Sequence, residues 1–274
     1  MVSARFVTRT GLVGDLRALG VRDGGVVMVH TKMSALGWVV GGTRTVIEAL
    51  LDVVGPDGTL LAYAGFEDDP YHLGEWGRQR QDAYRSELPA FDPDLSAANP
   101  DFGRIPERLR TWPGATRSDA HVFRFVAVGA RAGELTTDVP WDYAAGPGSP
   151  LARLVAAGGQ VLSLGAPLDT LTLLHHAESL VDSPHRRSVS YQVPIRAGDD
   201  VEWQTVHDID TSSRGAFPYD TVTAPGEDAF AVIGREALAA GAGRSGPVGT
   251  SDSHVFDARS LVDFAVSWLR KRFS

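Results

Sequence analysis

The feature that most constrains the fold is an alternation of buried strands with an amphipathic helix early in the chain. The short apolar run Val26–His30 predicts a buried strand. From Thr43 onward apolar residues recur at helical spacing until Gly55 and Pro56 end the run, and a second strand is predicted at 59–63. Because two strands joined through a helix usually pair in parallel, this order indicates an α/β protein.

The rest of the chain continues this alternation and adds an antiparallel portion. Buried strands are predicted at 123–128 and 160–164, and the segments 188–195 and 201–206 are expected to pair with each other. Helices are predicted at 106–112, 150–157, 171–181, 228–240 and 260–271, the last with Ser260 as its N-cap. We therefore expect a single α/β domain over residues 1–274, with a mainly parallel core sheet flanked by helices.

Residues 67–100 interrupt the alternation. The segment is rich in charged residues, proline and tyrosine and shows little periodicity. Long irregular segments inside a compact domain are usually functional. We predict a substrate-facing insertion, with a surface excursion as the alternative.

Charge and composition restrict the partners. The 274-residue chain has a formal charge of −8 at pH 7 and contains no cysteine, which excludes disulfides, thiolate metal sites and thiol catalysis. A nucleic acid partner is not expected, because phosphate binding needs a basic surface. An acidic chain attracts cationic partners, although solubility would explain the charge equally well. Apolar runs fall short of the ~20 residues that span a bilayer, and residues 1–12 do not resemble a signal peptide. We expect a cytoplasmic protein without a membrane partner.

The strongest local candidate for chemistry is the segment from Leu173 to Glu178, followed by Asp182. On a helix, His175, Glu178 and Asp182 would share one face. A carboxylate one turn from a histidine can fix its tautomer, which suits a general base. Spacing alone favours the alternative interpretation, a solvated helix face or a buried histidine with a polar partner. A metal site is not expected, since the H-E-x-x-H spacing is missing.

Two other clusters are candidates for binding. Asp208 and Asp210 follow a predicted strand and could orient a histidine or hold an ammonium group, and an ordinary aspartate-rich turn is the alternative. The turn from His30 to Ser34 precedes glycines that open a helix, where backbone N–H groups can bind anionic oxygens, and the residues alone favour a simple turn as the alternative. The chain has neither a Walker A loop nor a G-x-G-x-x-G motif, so nucleoside triphosphates and nicotinamide cofactors lack support.

An ordered set of short segments resembles the aminoglycoside 3-N-acetyltransferase family. The segments are Met28–Thr31, Leu36–Gly37, Gly41–Gly42, Ile47–Leu50, Gly55–Thr59, Phe91–Pro93, Phe102–Gly103, Arg117–Ser118, Gly148–Pro150, Gly165–His175, Ala177–Glu178, Gly246–Gly249 and Phe256–Ala258. Together they span the chain from about Val26 to its end. The stretch Gly165–Glu178 is the most specific part of the resemblance.

The resemblance implies the α/β fold of that family, which differs from the histone-type acetyltransferase fold. It implies acetyl-CoA as donor and the 3-amino group of the deoxystreptamine ring of an aminoglycoside as acceptor, giving resistance. Transfer would be direct, without a covalent enzyme intermediate, and no metal is expected. The site residues that the resemblance implies are the catalytic His175, Glu178 and Asp208; the coenzyme-binding His30, Thr31, Lys32, Met33, Ser34, Arg117 and Ser118; and the substrate-binding Glu67, Asp69 and Asp210.

The chain departs from the family pattern in one place. Relatives commonly read Arg-Ser-x-His-Pro where this chain has Arg117-Ser-Asp-Ala-His-Val, so the role of His121 stays open. Two alternative functions also remain: a transferase of the same fold acting on a different, biosynthetic amine, and a protein that sequesters a cationic ligand without chemistry. The sequence leaves open whether the chain forms a homo-oligomer.

Overall fold

The computed structural model describes residues 6–198 and 200–274. Its strands are β1 (Phe6–Val7), β2 (Val26–Thr31), β3 (Trp38–Val39), β4 (Thr59–Tyr63), β5 (Thr116–Arg117), β6 (Phe125–Gly129), β7 (Gln160–Leu164), β8 (Ser188–Ala197), β9 (Asp200–Ile209), β10 (Gly243–Val248) and β11 (Ser251–Asp257). Its α-helices are α1 (Arg9–Leu19), α2 (Gly42–Val54), α3 (Arg78–Glu87), α4 (Arg104–Arg110), α5 (Ala132–Thr136), α6 (Pro150–Ala156), α7 (Leu173–Ser179), α8 (Ala229–Ala239) and α9 (Ala258–Phe273).

A seven-stranded sheet in the order β10-β11-β7-β2-β4-β6-β5 organises the molecule. The central strand β2 pairs in parallel with both β4 and β7, and the remaining pairings are antiparallel. All strands except β6 and β11 therefore run in the same direction. The predicted α/β fold with a mainly parallel sheet is confirmed, and the two segments predicted to pair form the separate antiparallel sheet of β8 and β9.

Helices cover both faces of the sheet, because successive residues of a buried strand point to opposite sides. In β2, Val27 and Val29 pack into an apolar cluster with residues of α1, α2 and α4. Val26 and Met28 pack into the opposite cluster with residues of α5, α6, α7, α8 and α9. This two-sided burial explains why β2 reads as a continuous apolar run. Among the described residues, none of the helices combines the length and apolarity needed to span a membrane.

Several predicted boundaries were wrong. Helix α9 begins at Ala258 rather than near residue 260, and its N-cap is Asp257, whose side chain accepts a hydrogen bond from the backbone N–H of Ser260. The helix predicted at 171–181 is shorter at both ends, because α7 runs only from Leu173 to Ser179. Asp182 therefore lies beyond the helix. Helices α1 and α3 and the hairpin of β10 and β11 were not predicted.

The segment 67–100 is attached to the β8–β9 hairpin and to the sheet. The backbone N–H of Phe91 donates to the carbonyl of Pro194 on β8. The fully buried Arg124 donates to the carbonyls of Pro93 and Ser96 at 2.7 and 2.8 Å. These contacts hold the segment beside the carboxyl ends of the central strands, where the candidate site lies.

Candidate active site

Helix α7 presents a histidine paired with a buried carboxylate. His175 and Glu178 are three residues apart and share a helix face, so that His175 Nδ1 lies 2.6 Å from Glu178 Oε2. The His175 side chain is 20% exposed and that of Glu178 only 2%. Since a carboxylate only accepts hydrogen bonds, it selects the tautomer with the proton on Nδ1. The lone pair of Nε2 is then available to take a proton from a substrate.

Aromatic rings fix the position of this imidazole. The ring centroids of Phe123 and Phe230 lie 5.5 and 4.8 Å from that of His175, both in edge-to-face orientation. Phe123 adopts φ 48°, a left-handed conformation that is unfavourable for an aromatic residue. Backbone strain of this kind concentrates at functional sites. It also excludes Phe123 from the strand predicted at 123–128, because β6 begins only at Phe125 and runs to Gly129.

A cavity of about 1030 Å³ opens at the carboxyl ends of the parallel strands and contains the predicted turn. Its lining includes all five predicted residues from His30 to Ser34, together with His175 and Arg104. The site therefore has the position expected for ligands of open α/β sheets. The cavity is lined by two cationic side chains, Lys32 and Arg104, and by two carboxylates, Asp101 and Asp169. The cations can pair with an anionic ligand, although the lining as a whole is not positively charged.

Two side chains of this cavity lack partners. Within residues 6–198 and 200–274, the buried His30 Nε2 and Thr31 Oγ1 have no hydrogen-bond partner. Burial lowers the pKa of His30 to about 4, so its imidazole is neutral at physiological pH. Buried polar atoms are normally satisfied, and a bound ligand can supply the missing hydrogen bonds.

A second cavity, of about 900 Å³, lies on the other side of His175 and is acidic. Its lining carries more carboxylates than guanidinium groups; the former are Asp169, Glu178, Asp220, Glu227 and Asp228, and the latter Arg187 and Arg214. Burial and the neighbouring Asp228 raise the pKa of Asp169. His175 lines both cavities, so one base can serve ligands bound on either side.

The predicted Asp208 and Asp69 are largely withdrawn from solvent. Asp208 is 2% exposed, and its Oδ1 accepts a hydrogen bond from the backbone N–H of Ile209 at 2.8 Å. Burial raises the pKa of Asp208 to about 6, although the nearby His175 acts in the opposite direction. Burial likewise raises the pKa of Asp69 to about 6, and its Oδ1 accepts from the backbone N–H of Tyr71 at 2.9 Å. Both carboxylates thus lie close to the site and are costly to ionise.

Asp210 and Glu67 lie in different environments. Asp210 is 1% exposed and already has several protein partners: the backbone N–H and hydroxyl of Ser212, the hydroxyl of Tyr71 and the guanidinium of Arg214. Glu67 is exposed, and its charge contributes to the raised pKa of Arg110. The structure therefore brings Asp210 to the edge of the site and leaves Glu67 on the surface near Arg110.

The structure does not bring Arg117 and Ser118 to either cavity. The hydroxyl of the fully buried Ser118 accepts a hydrogen bond from the backbone N–H of Phe125 at 2.8 Å. Arg117 pairs with Asp94 at 2.9 Å and donates to the carbonyl of Arg110. Arg117 on the edge strand β5 thus joins the sheet to the segment 67–100, and Ser118, directly after β5, bonds to β6. Their predicted coenzyme contact has no support in the lining of the cavities.

His121 is a packed residue. It is 1% exposed, and its ring makes edge contacts with Phe66 and Phe91 at centroid distances of 5.0 and 5.4 Å. Burial, and to a smaller extent the charge of Arg124, lowers its pKa to about 3.

Among the described residues, no group of three or more histidine, aspartate or glutamate side chains is arranged to hold a metal ion.

Sequence reasoning missed several residues of the site. Tyr219 donates a hydrogen bond to Glu178 Oε1 at 2.5 Å across 41 sequence positions. Phe230 and Asp228 come from the start of α8, which the sequence predicted only as a helix. Neither the periodicity nor a local motif links these positions to His175, so no signal in a single sequence could have found them.

Comparison with known proteins places this site in a defined context. The model of the aminoglycoside 3-N-acetyltransferase family matches residues 28–270. Aminoglycoside N(3)-acetyltransferase VII of Streptomyces paromomycinus is 54% identical over 267 residues, covering 97% of this chain and 92% of that protein. Aminoglycoside N(3)-acetyltransferase VIII of Streptomyces fradiae is 53% identical, with coverage of 97% and 93%.

Solved structures agree with these relatives. Aminoglycoside acetyltransferase AAC(3)-Xa has a TM-score of 0.94 at 50% identity, covering 98% of this chain and 94% of that chain. AAC-IIIb, solved as a binary complex with CoASH, has a TM-score of 0.88 at 45% identity and covers 98% of both chains. AAC-VIa bound to sisomicin has a TM-score of 0.88 at 37% identity, with coverage of 97% and 98%.

The fold and the site therefore define an enzyme of the acetyltransferase class, with acetyl-CoA as the donor. The fold is that of the solved AAC(3) enzymes, as the sequence predicted. This chain belongs to the aminoglycoside 3-N-acetyltransferase family, which confirms the resemblance seen in its sequence.

Proposed function

We propose that this enzyme transfers the acetyl group of acetyl-CoA to the 3-amino group of the deoxystreptamine ring of aminoglycoside antibiotics and thereby confers resistance. The observation that carries the proposal is the position of His175, which lines both cavities and is paired with Glu178. A base at this junction can act on an amine held in one cavity while a thioester approaches from the other.

The first cavity is the proposed site of acetyl-CoA. Lys32 and Arg104 supply cations for the phosphate groups, and His30 and Thr31 carry buried polar atoms that can bind amide or carbonyl oxygens. Met33 and Ser34 complete the turn along the same wall. The chain thus offers both the positive charge and the polar contacts that the donor requires.

The second cavity is the proposed site of the aminoglycoside. An excess of carboxylates, among them Asp169 and Asp228, suits a molecule that carries several ammonium groups. Asp69, Asp208 and Asp210 are buried or already hydrogen-bonded. They would therefore add negative potential at the site without contacting the drug directly.

The chemistry follows from the tautomer of His175. With Glu178 bound to Nδ1–H, Nε2 takes a proton from the 3-ammonium group, directly or through one water. The resulting amine attacks the thioester carbonyl, an N–C bond forms and the C–S bond breaks. The coenzyme A thiolate leaves and accepts the proton from the imidazolium, which restores the base. The new amide nitrogen loses its second proton to water, so that one proton is released for each acetyl group transferred. The buried Glu178 stabilises the imidazolium between these steps.

The test combines thiol release from acetyl-CoA with a panel of deoxystreptamine aminoglycosides and NMR of each product. We expect one thiol and one added acetyl group per drug molecule, attached at the 3-nitrogen. Acetylation at another nitrogen would contradict the proposed position of the drug. A folded protein that binds coenzyme A but acetylates no aminoglycoside would instead favour a different, biosynthetic amine, the second candidate for the same site.

We further propose that residues 67–100 form a substrate-facing insertion within one domain. The 3₁₀ turn Pro70–Glu75 packs against β8, and Tyr71 contacts both Tyr191 and Asp210 at the edge of the site. A cytoplasmic location stays a prediction, in keeping with the intracellular supply of acetyl-CoA.

A further inference from the structure

Both oxygens of Glu178 are engaged, and only one of them by the catalytic histidine. Oε2 pairs with His175 Nδ1 at 2.6 Å, while Oε1 accepts a hydrogen bond from the hydroxyl of Tyr219 at 2.5 Å. Glu178 is 1% exposed, so bulk water cannot replace either partner. Charge-assisted hydrogen bonds of this length are the strong ones in proteins. The orientation of the Glu178 carboxylate and its strength as a hydrogen-bond acceptor therefore depend on Tyr219 as well as on His175.

The hydroxyl of Tyr219 is held in place by an aromatic cluster. Its ring contacts Phe217, Phe230, Phe273 and Trp268 at centroid distances of 6.1, 6.5, 5.8 and 6.4 Å. Burial and the adjacent Glu178 raise the pKa of Tyr219 above its ordinary value. The phenol thus stays protonated and acts as a donor to the carboxylate, since a phenolate would face a second negative charge.

We propose that Tyr219 is a positioning residue that sets the orientation and the basicity of His175 through Glu178. The role in turnover rests on the proposed function, whereas the effect on His175 does not. The carboxylate divides its acceptor strength between two donors. Without the phenol hydrogen bond, Glu178 holds the Nδ1–H of His175 more strongly and favours the imidazolium, so the free base becomes scarcer at neutral pH. Glu178 also loses the contact that fixes its rotamer.

Tyr219→Phe tests the proposal because it removes only the hydroxyl and leaves a ring for the aromatic cluster. We expect kcat to fall roughly tenfold or more, as for the loss of one hydrogen bond to a charged group. The KM for acetyl-CoA should change little. The acid limb of the pH profile of kcat/KM should move to higher pH. An unchanged kcat and pH profile in the folded variant would overturn the proposal.

The matched control is Phe273→Leu, which disturbs the same cluster and keeps the hydroxyl. Phe273 stacks on Phe217 at 5.0 Å and contacts the Tyr219 ring. We expect this variant to lose thermal stability while its pH profile stays that of the wild type. An equal displacement of the acid limb in both variants would mean that packing, rather than the hydroxyl, is responsible, and the proposal would be wrong.

A second readout needs no substrate and separates this proposal from the proposed function. The imidazole of His175 is titrated by NMR in protein with labelled histidine, with the resonance assigned by its loss in His175→Gln. We expect the midpoint to lie at higher pH in Tyr219→Phe than in wild type. An unchanged or lower midpoint overturns the proposal. If the wild type acetylates no aminoglycoside but the midpoint moves as expected, the proposed substrate is wrong and the role of Tyr219 stands.

Discussion

Replacing Glu178 by glutamine tests the assignment of the catalytic pair most directly. The side chain keeps its size, but one carboxylate oxygen becomes an NH₂ group. The two partners, His175 Nδ1–H and the Tyr219 hydroxyl, both donate to Glu178 in the wild type. A glutamine can satisfy only one of these donors, since its amide offers a single acceptor oxygen.

The variant therefore allows two arrangements, and each impairs the base. If the amide oxygen faces Tyr219, its NH₂ group faces His175, and the imidazole must move its proton to Nε2. That nitrogen can then no longer accept the proton of the substrate. If the oxygen faces His175, a buried NH₂ group meets the phenol, and the imidazolium loses its counter-charge. The first arrangement removes the positioned base, and the second removes the counter-charge that stabilises its protonated form. A positioned base is worth about 10²–10⁴-fold in rate.

The assay is steady-state thiol release at saturating acetyl-CoA, with the thermal unfolding of each variant as a check on folding. We expect kcat to fall by about 10²–10⁴-fold, which corresponds to roughly 3–5 kcal/mol of transition-state stabilisation. The unmatched donor should cost about 1–3 kcal/mol of stability. Glu48→Gln is the control, because Glu48 lies away from the site and pairs, within the described part of the chain, with the surface residues Arg9 and Arg44. A folded Glu178→Gln enzyme with kcat within threefold of wild type would refute the assignment.

Three further predictions concern the acidic cavity, the buried aspartate and the insertion. Asp228→Asn keeps the N-cap of α8 but removes one negative charge from the second cavity. The KM for the aminoglycoside should therefore rise roughly five- to tenfold at low salt, while the KM for acetyl-CoA is unchanged. An effect that does not weaken with added salt would argue against a direct charge interaction. Burial raises the pKa of Asp208 from 3.8 to about 6, so the stability that its neutral form contributes is fully present below pH 4 and is lost as pH rises through 6. The free energy of unfolding of the wild type should therefore fall, relative to Asp208→Asn, by up to about 2–3 kcal/mol between pH 4 and 7, as urea titrations can measure; a difference that is independent of pH would contradict this. Arg124→Lys cannot reach both carbonyls that Arg124 binds, so amide hydrogen exchange should accelerate in residues 92–98, and unchanged protection there would show that other contacts hold the segment.

The fold was largely predictable because its signals are local. A continuous apolar run at 26–30 and a helical repeat from Thr43 reflect burial on both faces of the sheet and on one face of α2. Errors arose where the local signal was weak or overridden. Phe123 has a strand-forming side chain, yet its left-handed backbone excludes it from β6. Helix α1 has glycines at two positions and only a narrow apolar stripe, which hid it in the sequence.

In the candidate site, too, the sequence predicts local contacts well and contacts that depend on the tertiary structure poorly. The spacing of His175 and Glu178 predicts a contact, because helix geometry brings residues three apart together. The sequence also indicates the turn at 30–34, since its residues follow a strand end directly. By contrast, Arg117 and Ser118 carry a family motif, but Arg117 on the edge strand β5 contacts the segment 67–100, and Ser118 after the strand bonds to β6.

The sequence by itself determined the α/β class, the histidine–glutamate pair and the family, because each depends on residues that are close together or in a fixed order along the chain. Only the tertiary structure decided that His175 lies between two cavities, one of mixed charge and one with an excess of carboxylates, and that Tyr219 hydrogen-bonds to Glu178. Residues that meet after 41 or more positions do so through the packing of whole helices and strands. Their contact depends on the entire apolar core, and no local pattern records it.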